Sequence, residues 1–148
     1  MTIEYRKGNL LEVTEGIIVH GVNMQGVMGS GVAKAIKEKY PDCYIRYVRQ
    51  KPHYYLGKVI WYSDDDEGSL LIANIVTQQF YGNCNKRYVN YAAIANGFKT
   101  VIDCNHQDHP IYFPKIGAGL GAGDWNIIEQ LINDCDPHDK VKKICYEL

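Results

Sequence analysis

Two stretches of the chain set glycines where backbone amides can do chemistry, Gly26-Val27-Met28-Gly29-Ser30-Gly31-Val32-Ala33 and Ile116-Gly117-Ala118-Gly119-Leu120-Gly121-Ala122-Gly123. Each follows a run of β-favouring apolar residues, Ile17-Ile18-Val19 or Ile111-Tyr112-Phe113, and each leads into a helical pattern. Strand, glycine loop, helix brings bare N–H groups to a helix N-terminus, where an anionic group is welcome. Two such loops in one small chain predict a ligand with two phosphates held between them. Beside the loops stand three side chains suited to orienting water or moving a proton: His20, Asn23 and Asp124. Two of them have plainer readings. His20 closes an apolar strand and suits a satisfied core histidine, and Asp124 stands where the last helix needs an N-cap.

Neither loop completes a familiar nucleotide motif. Gly26 and Gly31 have P-loop spacing, but Val32-Ala33 occupy the places of the lysine and the hydroxyl residue that γ-phosphate and Mg²⁺ require. Gly117 to Ala122 fits Gly-x-Gly-x-x-Ala, yet lies too close to the C-terminus for a two-half dinucleotide fold. The acidic run Asp64-Asp65-Asp66-Glu67-Gly68 lacks the spaced oxygens of a calcium loop and reads as a hairpin turn. Cys104, His106 and His109 offer zinc donors, but nothing elsewhere completes a four-ligand site. No metal and no cofactor is expected. Lys34, Lys37 and Lys39 read as the solvated face of a helix, while Lys86 and Arg87 are candidates to pair with a terminal phosphate.

The elements that must position these residues follow from the apolar pattern. A short strand at Ile3–Arg6 precedes the turn Gly8-Asn9-Leu10, and a buried strand runs from Gly16 to His20. A helix after the first glycine loop ends at Pro41, and a second short helix carries Tyr44, Ile45 and Val48. Strands at 58–62 and 70–76 flank the acidic turn. A long helix follows, bearing the stripe Tyr91, Ile94, Ala95, Phe98 and Ile102, with a lip of pocket-edge residues at 77–87 before it. The strand 111–113, the helix opened by Asp124 and a closing strand at 143–146 complete the series. Six strands alternating with about four helices, apart from one hairpin, predict a three-layer α/β/α sandwich with a mixed, mostly parallel six-stranded sheet. Its ligand should lie over the carboxyl ends of the strands.

Composition narrows the function. With 148 residues the chain is expected to form one domain, residues 1–148. A net charge of −1 gives no electrostatic case for general nucleic-acid binding. No run approaches a membrane span, and the first residues do not read as a signal peptide. Five cysteines without a CxxC pair suit reduced thiols, hence a cytoplasmic setting (the host cytoplasm if the source is viral). No segment reads as an oligomerisation motif, and a monomer is expected.

In order along the chain, Gly8-Asn9-Leu10, Val22-Asn23, Gly29-Ser30-Gly31-Val32-Ala33, Phe113-Pro114-Lys115-Ile116-Gly117-Ala118-Gly119-Leu120 and Asp124-Trp125 resemble the macrodomain family. The resemblance covers nearly the whole chain. It is nearest to the small group that contains the ADP-ribose 1″-phosphate phosphatases, bacteriophage members included. It implies a ligand of the ADP-ribose class: ADP-ribose itself, its 1″-phosphate or an ADP-ribosylated substrate. By position, Gly8, Asn9 and Leu10 would hold adenine, with Asn9 standing where the family usually has aspartate and acting through its carbonyl oxygen. Asn23 would hydrogen-bond the distal ribose. The amides of Val27, Met28, Gly29, Ser30, Gly31 and Val32, and those from Gly117 to Gly121, would wrap the diphosphate, with Pro114, Lys115 and Ile116 alongside.

Two departures from the family bear on chemistry. Related hydrolases that act on nucleobase or glutamate adducts carry a lysine shortly after the fourth strand, where this chain has Thr77-Gln78-Gln79. Some also carry an acidic residue where Gly121 stands. Gln78 can orient a water but is not a base or a Schiff-base amine. The resemblance therefore implies a phosphatase acting on ADP-ribose 1″-phosphate, with Asn23, His20 and Asp124 as candidate catalytic residues. Removal of ADP-ribose from a macromolecule, and non-catalytic sequestration of ADP-ribose or a related signal, are the alternatives.

Overall fold

In a computed structural model, which describes residues 3–80, 89–118 and 121–147, the six strands form one sheet. They are β1 (Glu4–Lys7), β2 (Gly16–Asn23), β3 (Val59–Ser63), β4 (Leu70–Gln78), β5 (Ile111–Phe113) and β6 (Lys143–Glu147). Their order is β1-β6-β5-β2-β4-β3, and every pairing is parallel except β3 with β4. The helices are α1 (Gly31–Lys39), α2 (Pro41–Val48), α3 (Tyr91–Cys104) and α4 (Trp125–Asp134).

Both faces of the sheet are covered, and β2 shows how. Ile17 and Val19 join Ile94, Phe98, Val101, Ile128 and Ile132 of α3 and α4 in one core. Ile18 packs with Ile36, Tyr40 and Cys43 of the α1–α2 side, and Val22 with Met28, Tyr47 and Ile60. Alternate residues of one strand thus enter opposite layers, as the period of two requires. This is the expected three-layer sandwich. Phe98 and Phe113 meet edge to face with centroids 5.4 Å apart, tying α3 to β5.

Three local features place the site. The strand expected to end at His20 continues to Asn23, because Gly21, Val22 and Asn23 still pair with β4; the register slips between Val22 and Asn23, and there the chain leaves the sheet. The Gly8-Asn9-Leu10 turn opens into a 3₁₀ turn, Leu10–Glu12, capped by Asn9. The acidic run closes the β3–β4 hairpin, with Asp65 Oδ1 accepting from the Ser69 amide at 3.0 Å. In the loop that offered zinc donors, Asn105 instead ties down His109 through both of its amide atoms. Among the described residues no helix is long and apolar enough to cross a membrane.

Candidate functional site

The carboxyl ends of the parallel strands open into one cleft with two lobes. The first, of about 630 Å³, is walled by Asn23, Gly29, Ser30, Thr77, Gln78, Gly117 and Gly121, with His20 and Gly21 beneath. The second, of about 520 Å³, is walled by Gly8, Asn9, Leu10, Leu11, Ala35, Tyr146 and Glu147. Gly31, Val32, Pro114 and Lys115 line both, which makes the cleft continuous.

The first glycine loop is built from its own backbone and from Asn23. The Asn23 Oδ1 accepts from the Gln25 amide at 2.9 Å, and its Nδ2 donates to Val27 O at 2.8 Å. Gly26 takes φ +78, a left-handed conformation that costs a residue bearing a Cβ and lets the chain turn back toward the cleft. From Met28 to Ala33 no backbone amide has a hydrogen-bond partner among the described residues. Ser30, the N-cap of α1, makes no side-chain capping bond. The start of the helix thus keeps its orphan donors and its positive end open to the cleft.

A tyrosine clamp supports this loop from below, and the sequence reading missed it. The Tyr47 hydroxyl lies 2.6 Å from Asn23 O and 2.9 Å from Asn23 Oδ1, so its one proton serves either oxygen, and it accepts from the Gly26 amide at 3.1 Å. Tyr54 donates to Tyr47 O at 2.9 Å and stacks on the Tyr47 ring at 5.2 Å. Tyr44 reaches Gly26 O at 3.3 Å. Burial first of all, and Tyr54 beside it, push the Tyr47 phenol far above its usual range, so it acts as a neutral hydroxyl.

Residues 19–132 match the Macro domain family. The chain belongs to this family. It is 30% identical over 141 residues to a DNA ADP-ribosyl glycohydrolase of Thermus aquaticus, an alignment that takes in 89% of this chain and 37% of that protein. The chain thus spans little more than a third of that relative's length. It is 31% identical over 162 residues to an ADP-ribose 1″-phosphate phosphatase of Saccharomyces cerevisiae, covering 89% of this chain and 92% of the yeast protein. Among solved structures, the macrodomain of Thermus aquaticus DarG superposes with a TM-score of 0.82 at 26% identity, covering 99% of each chain.

In this macrodomain the residues expected at the site divide. Gly8, Asn9, Leu10, Asn23, Val27, Gly29, Ser30, Gly31, Val32, Gln78, Pro114, Lys115, Ile116, Gly117 and Gly121 all line the cleft. Met28 and Ala118 are not among the residues that line the cleft, and the Met28 side chain is buried among Val22, Tyr47 and Tyr54. Gly119, Leu120, Lys86 and Arg87 lie outside the described residues. Asn23 holds its own loop, which leaves one Nδ2 proton for a ligand. Asn9 was expected to accept through its carbonyl oxygen, which takes the Leu11 amide at 2.9 Å and keeps a second lone pair. Lys115 pairs with Glu147 at 3.0 Å on the rim.

Of the amide cradle expected from Gly117 to Gly121 in the second glycine loop, the structure describes Gly117, Ala118 and Gly121. The Ile116 amide bonds to Pro114 O and the Ala118 amide to Lys115 O, which leaves Gly117 and Gly121 as the described amides still open. The described glycines of this loop, Gly117, Gly121 and Gly123, are closely packed. At Gly117, with φ +75, a Cβ would stand 2.7 Å from Val89 Cγ2. The close approach of this loop to Val89, Ile94 and Ile128 admits only hydrogen there.

The two proton-transfer candidates are corrected by their surroundings. Asp124 caps α4, its carboxylate accepting from the Asn126 amide at 2.9 Å, and it is not among the residues that line the cleft. His20 is buried and its Nε2 lies 2.5 Å from Asn74 Oδ1. Asn74 Nδ2 donates to Ile60 O, which fixes the amide so that Oδ1 faces the imidazole and the proton sits on Nε2. Burial drives the His20 pKa down to about 4, against the opposing effect of the Asn74 bond. At neutral pH it is therefore no proton donor through a charged form. Its Nδ1 has no partner among the described residues.

Proposed function

We propose that the cleft binds ADP-ribose and hydrolyses ADP-ribose 1″-phosphate to ADP-ribose and phosphate. The observation that carries this is the unpartnered amide run from Met28 to Ala33 at the open, uncapped start of α1. Such a nest holds phosphoryl oxygens without any lysine and strengthens as charge builds on them. The other lobe suits the nucleoside: Leu10, Leu11, Val32 and Ala35 offer an apolar bed, Tyr146 a ring, and Asn9 a polar edge. The relatives support the ligand class, since both named activities act on ADP-ribose derivatives. The yeast phosphatase supports the reaction, because the match runs through almost all of both chains.

In this reading water attacks phosphorus, the bond from phosphorus to the 1″-oxygen breaks, and the ribose oxygen takes a proton from solvent. Gln78, which ends β4 and lines this lobe, would orient the water through its amide, and the loop amides would carry the developing charge. A specific observation favours non-catalytic sequestration as the second reading. The described walls of the phosphate lobe hold no carboxylate, and their one imidazole is neutral. Phosphate release from ADP-ribose 1″-phosphate, beside calorimetric titration with ADP-ribose, separates the two. Turnover lost in Gln78→Ala with binding retained supports hydrolysis, and binding without turnover supports sequestration.

A further inference from the structure

We propose that the chain forms a two-fold dimer through the outer edge of β3, a second copy adding its own β3 antiparallel so that the two six-stranded sheets become one. The inference is independent of what the cleft binds, since no residue of β3 lines either lobe.

Sheet order puts β3 at one end, where it pairs only with β4. The ladder fixes which of its backbone groups are already used. The Val76 amide donates to Lys58 O at 2.9 Å and the Asp64 amide to Leu70 O at 3.2 Å, so Ile60 and Tyr62 between them turn their amides and carbonyls toward β4. Val59, Trp61 and Ser63 therefore turn theirs outward, and these groups have no partner among the described residues. No proline interrupts the strand, and a bare edge of this kind is a template for another strand. A groove of about 600 Å³ lies between α2 and this edge, walled in part by Arg49, Trp61 and Ser63.

The charge along the edge selects a second copy as the occupant. One end is basic. Lys58 Nζ donates to Gln50 Oε1 at 2.9 Å, which holds it at the C-terminal end of α2, where exposed Arg49 stands. The other end is acidic, formed by the exposed hairpin Asp64 to Glu67 and by Asp42 at the start of α2. Tyr62 registers that field: burial first, then the charges of Asp64 and Asp42, raise its phenol pKa. A two-fold axis reverses the edge, so each basic end meets an acidic one.

A pairing centred on Trp61 engages the outward groups of Val59, Trp61 and Ser63 in both copies. It also sets Lys58 opposite the partner's Asp64, in the non-hydrogen-bonded pairs whose side chains lie closest. The two Trp61 rings, each packed against the α3–α4 core, then meet across the axis. Centred on Ile60 the pairing would put Lys58 opposite Tyr62, and centred on Tyr62 it would put Asp64 opposite Ile60. An edge this short makes a weak interface, so concentration governs it. The symmetry of Lys58 and Asp64 about Trp61 carries no signal in the sequence until the free edge is known, which is why a monomer was expected.

Sedimentation equilibrium from about 1 µM to 1 mM tests this on wild type, Asp64→Lys, Ser63→Pro and the exchange variant Lys58→Asp/Asp64→Lys. Asp64 and Ser63 are exposed and the Ser63 N–H faces away from β4, so both single variants should keep the wild-type melting temperature. Wild type should pass from one chain to two. Asp64→Lys sets like charges opposite at both ends of the interface and should weaken the dimer about tenfold or more, and the exchange should bring it back to within about threefold of wild type. Ser63→Pro should weaken it by removing a donor at each end; if that variant melts lower, the charge pair decides alone. A wild type that stays a single chain throughout overturns the proposal. So does a dimer that Asp64→Lys leaves unweakened, which would sit on another face, or one weakened by Asp64→Lys that the exchange does not recover.

Discussion

The Tyr47 hydroxyl meets three atoms of the first glycine loop, and removing it is a sharp test of how that loop is held. Tyr47→Phe leaves the Gly26 amide and an Asn23 oxygen short of a partner, at a cost of about 1–3 kcal/mol for the unsatisfied groups. Thermal melts should show that loss, and calorimetry should show weaker ADP-ribose binding although the residue lines neither lobe. An unchanged affinity would mean that the loop holds its shape without the clamp. The glycines and Asn23 were legible in the sequence because their types announce turns and backbone hydrogen bonds. Tyr44, Tyr47 and Tyr54 were not, since tyrosines occur throughout this chain and only the fold aims Tyr44 and Tyr47 of α2 at the loop and sets Tyr54 behind them. The capping role of Asn9 was hidden for a related reason, since its type shows both a donor and an acceptor and only the fold brings its oxygen to the Leu11 amide.

α1 keeps its N-terminus uncapped where a cap would stabilise it, which suits a helix whose free donors serve a ligand. Ser30→Asp should expose that trade. The new carboxylate would cap the helix and favour its positive end, adding roughly 0.5–1 kcal/mol of stability. It would also repel the diphosphate, and ADP-ribose affinity should fall at least tenfold while the melting temperature holds or rises. A fall in both would instead mean a damaged fold. The strands and helices were legible from apolar periodicity nearly to their ends. The exceptions were the ends of β2 and β4, because Gly21 and Asn23 are poor strand formers on propensity and Thr77 and Gln78 read as pocket lip, and pairing between the two strands overrides both. The second glycine loop was legible as a loop, but its packing was not, since the contacts of Gly117 with Val89 and Ile128 come from distant parts of the chain.

Across the whole molecule, two buried charged or titratable sites set the response to conditions. His20 has a folded pKa of about 4, below its unfolded value near 6.5, so between these values the unfolded chain binds the extra proton. Stability should therefore be full above about pH 6.5 and fall as the pH drops toward 4, by up to roughly 3 kcal/mol from this residue alone. Denaturant titrations across that range should show the slope, and it should flatten in His20→Gln. A slope that survives the substitution would assign the effect to other groups. At the other end of the sheet Lys143 is fully buried, 2.6 Å from Asp136 and 2.8 Å from Asp139, and it pins the α4–β6 connection. Lys143→Met strands the Asp136 carboxylate and should cost about 3–5 kcal/mol, read from the same titrations. Neither pairing was legible in the sequence, because His20 and Asn74 meet only through strand register, and Lys143 and Asp136 only through a folded-back loop.

The most direct measurement is calorimetric titration of the intact chain with ADP-ribose, NAD and AMP in parallel, followed by phosphate release from ADP-ribose 1″-phosphate with the same sample. An amide nest joined to a nucleoside lobe predicts that ADP-ribose binds well ahead of NAD and AMP, with phosphate release that Asn23→Ala abolishes. No binding of ADP-ribose, or equal binding of all three ligands, would contradict the assignment of this cleft.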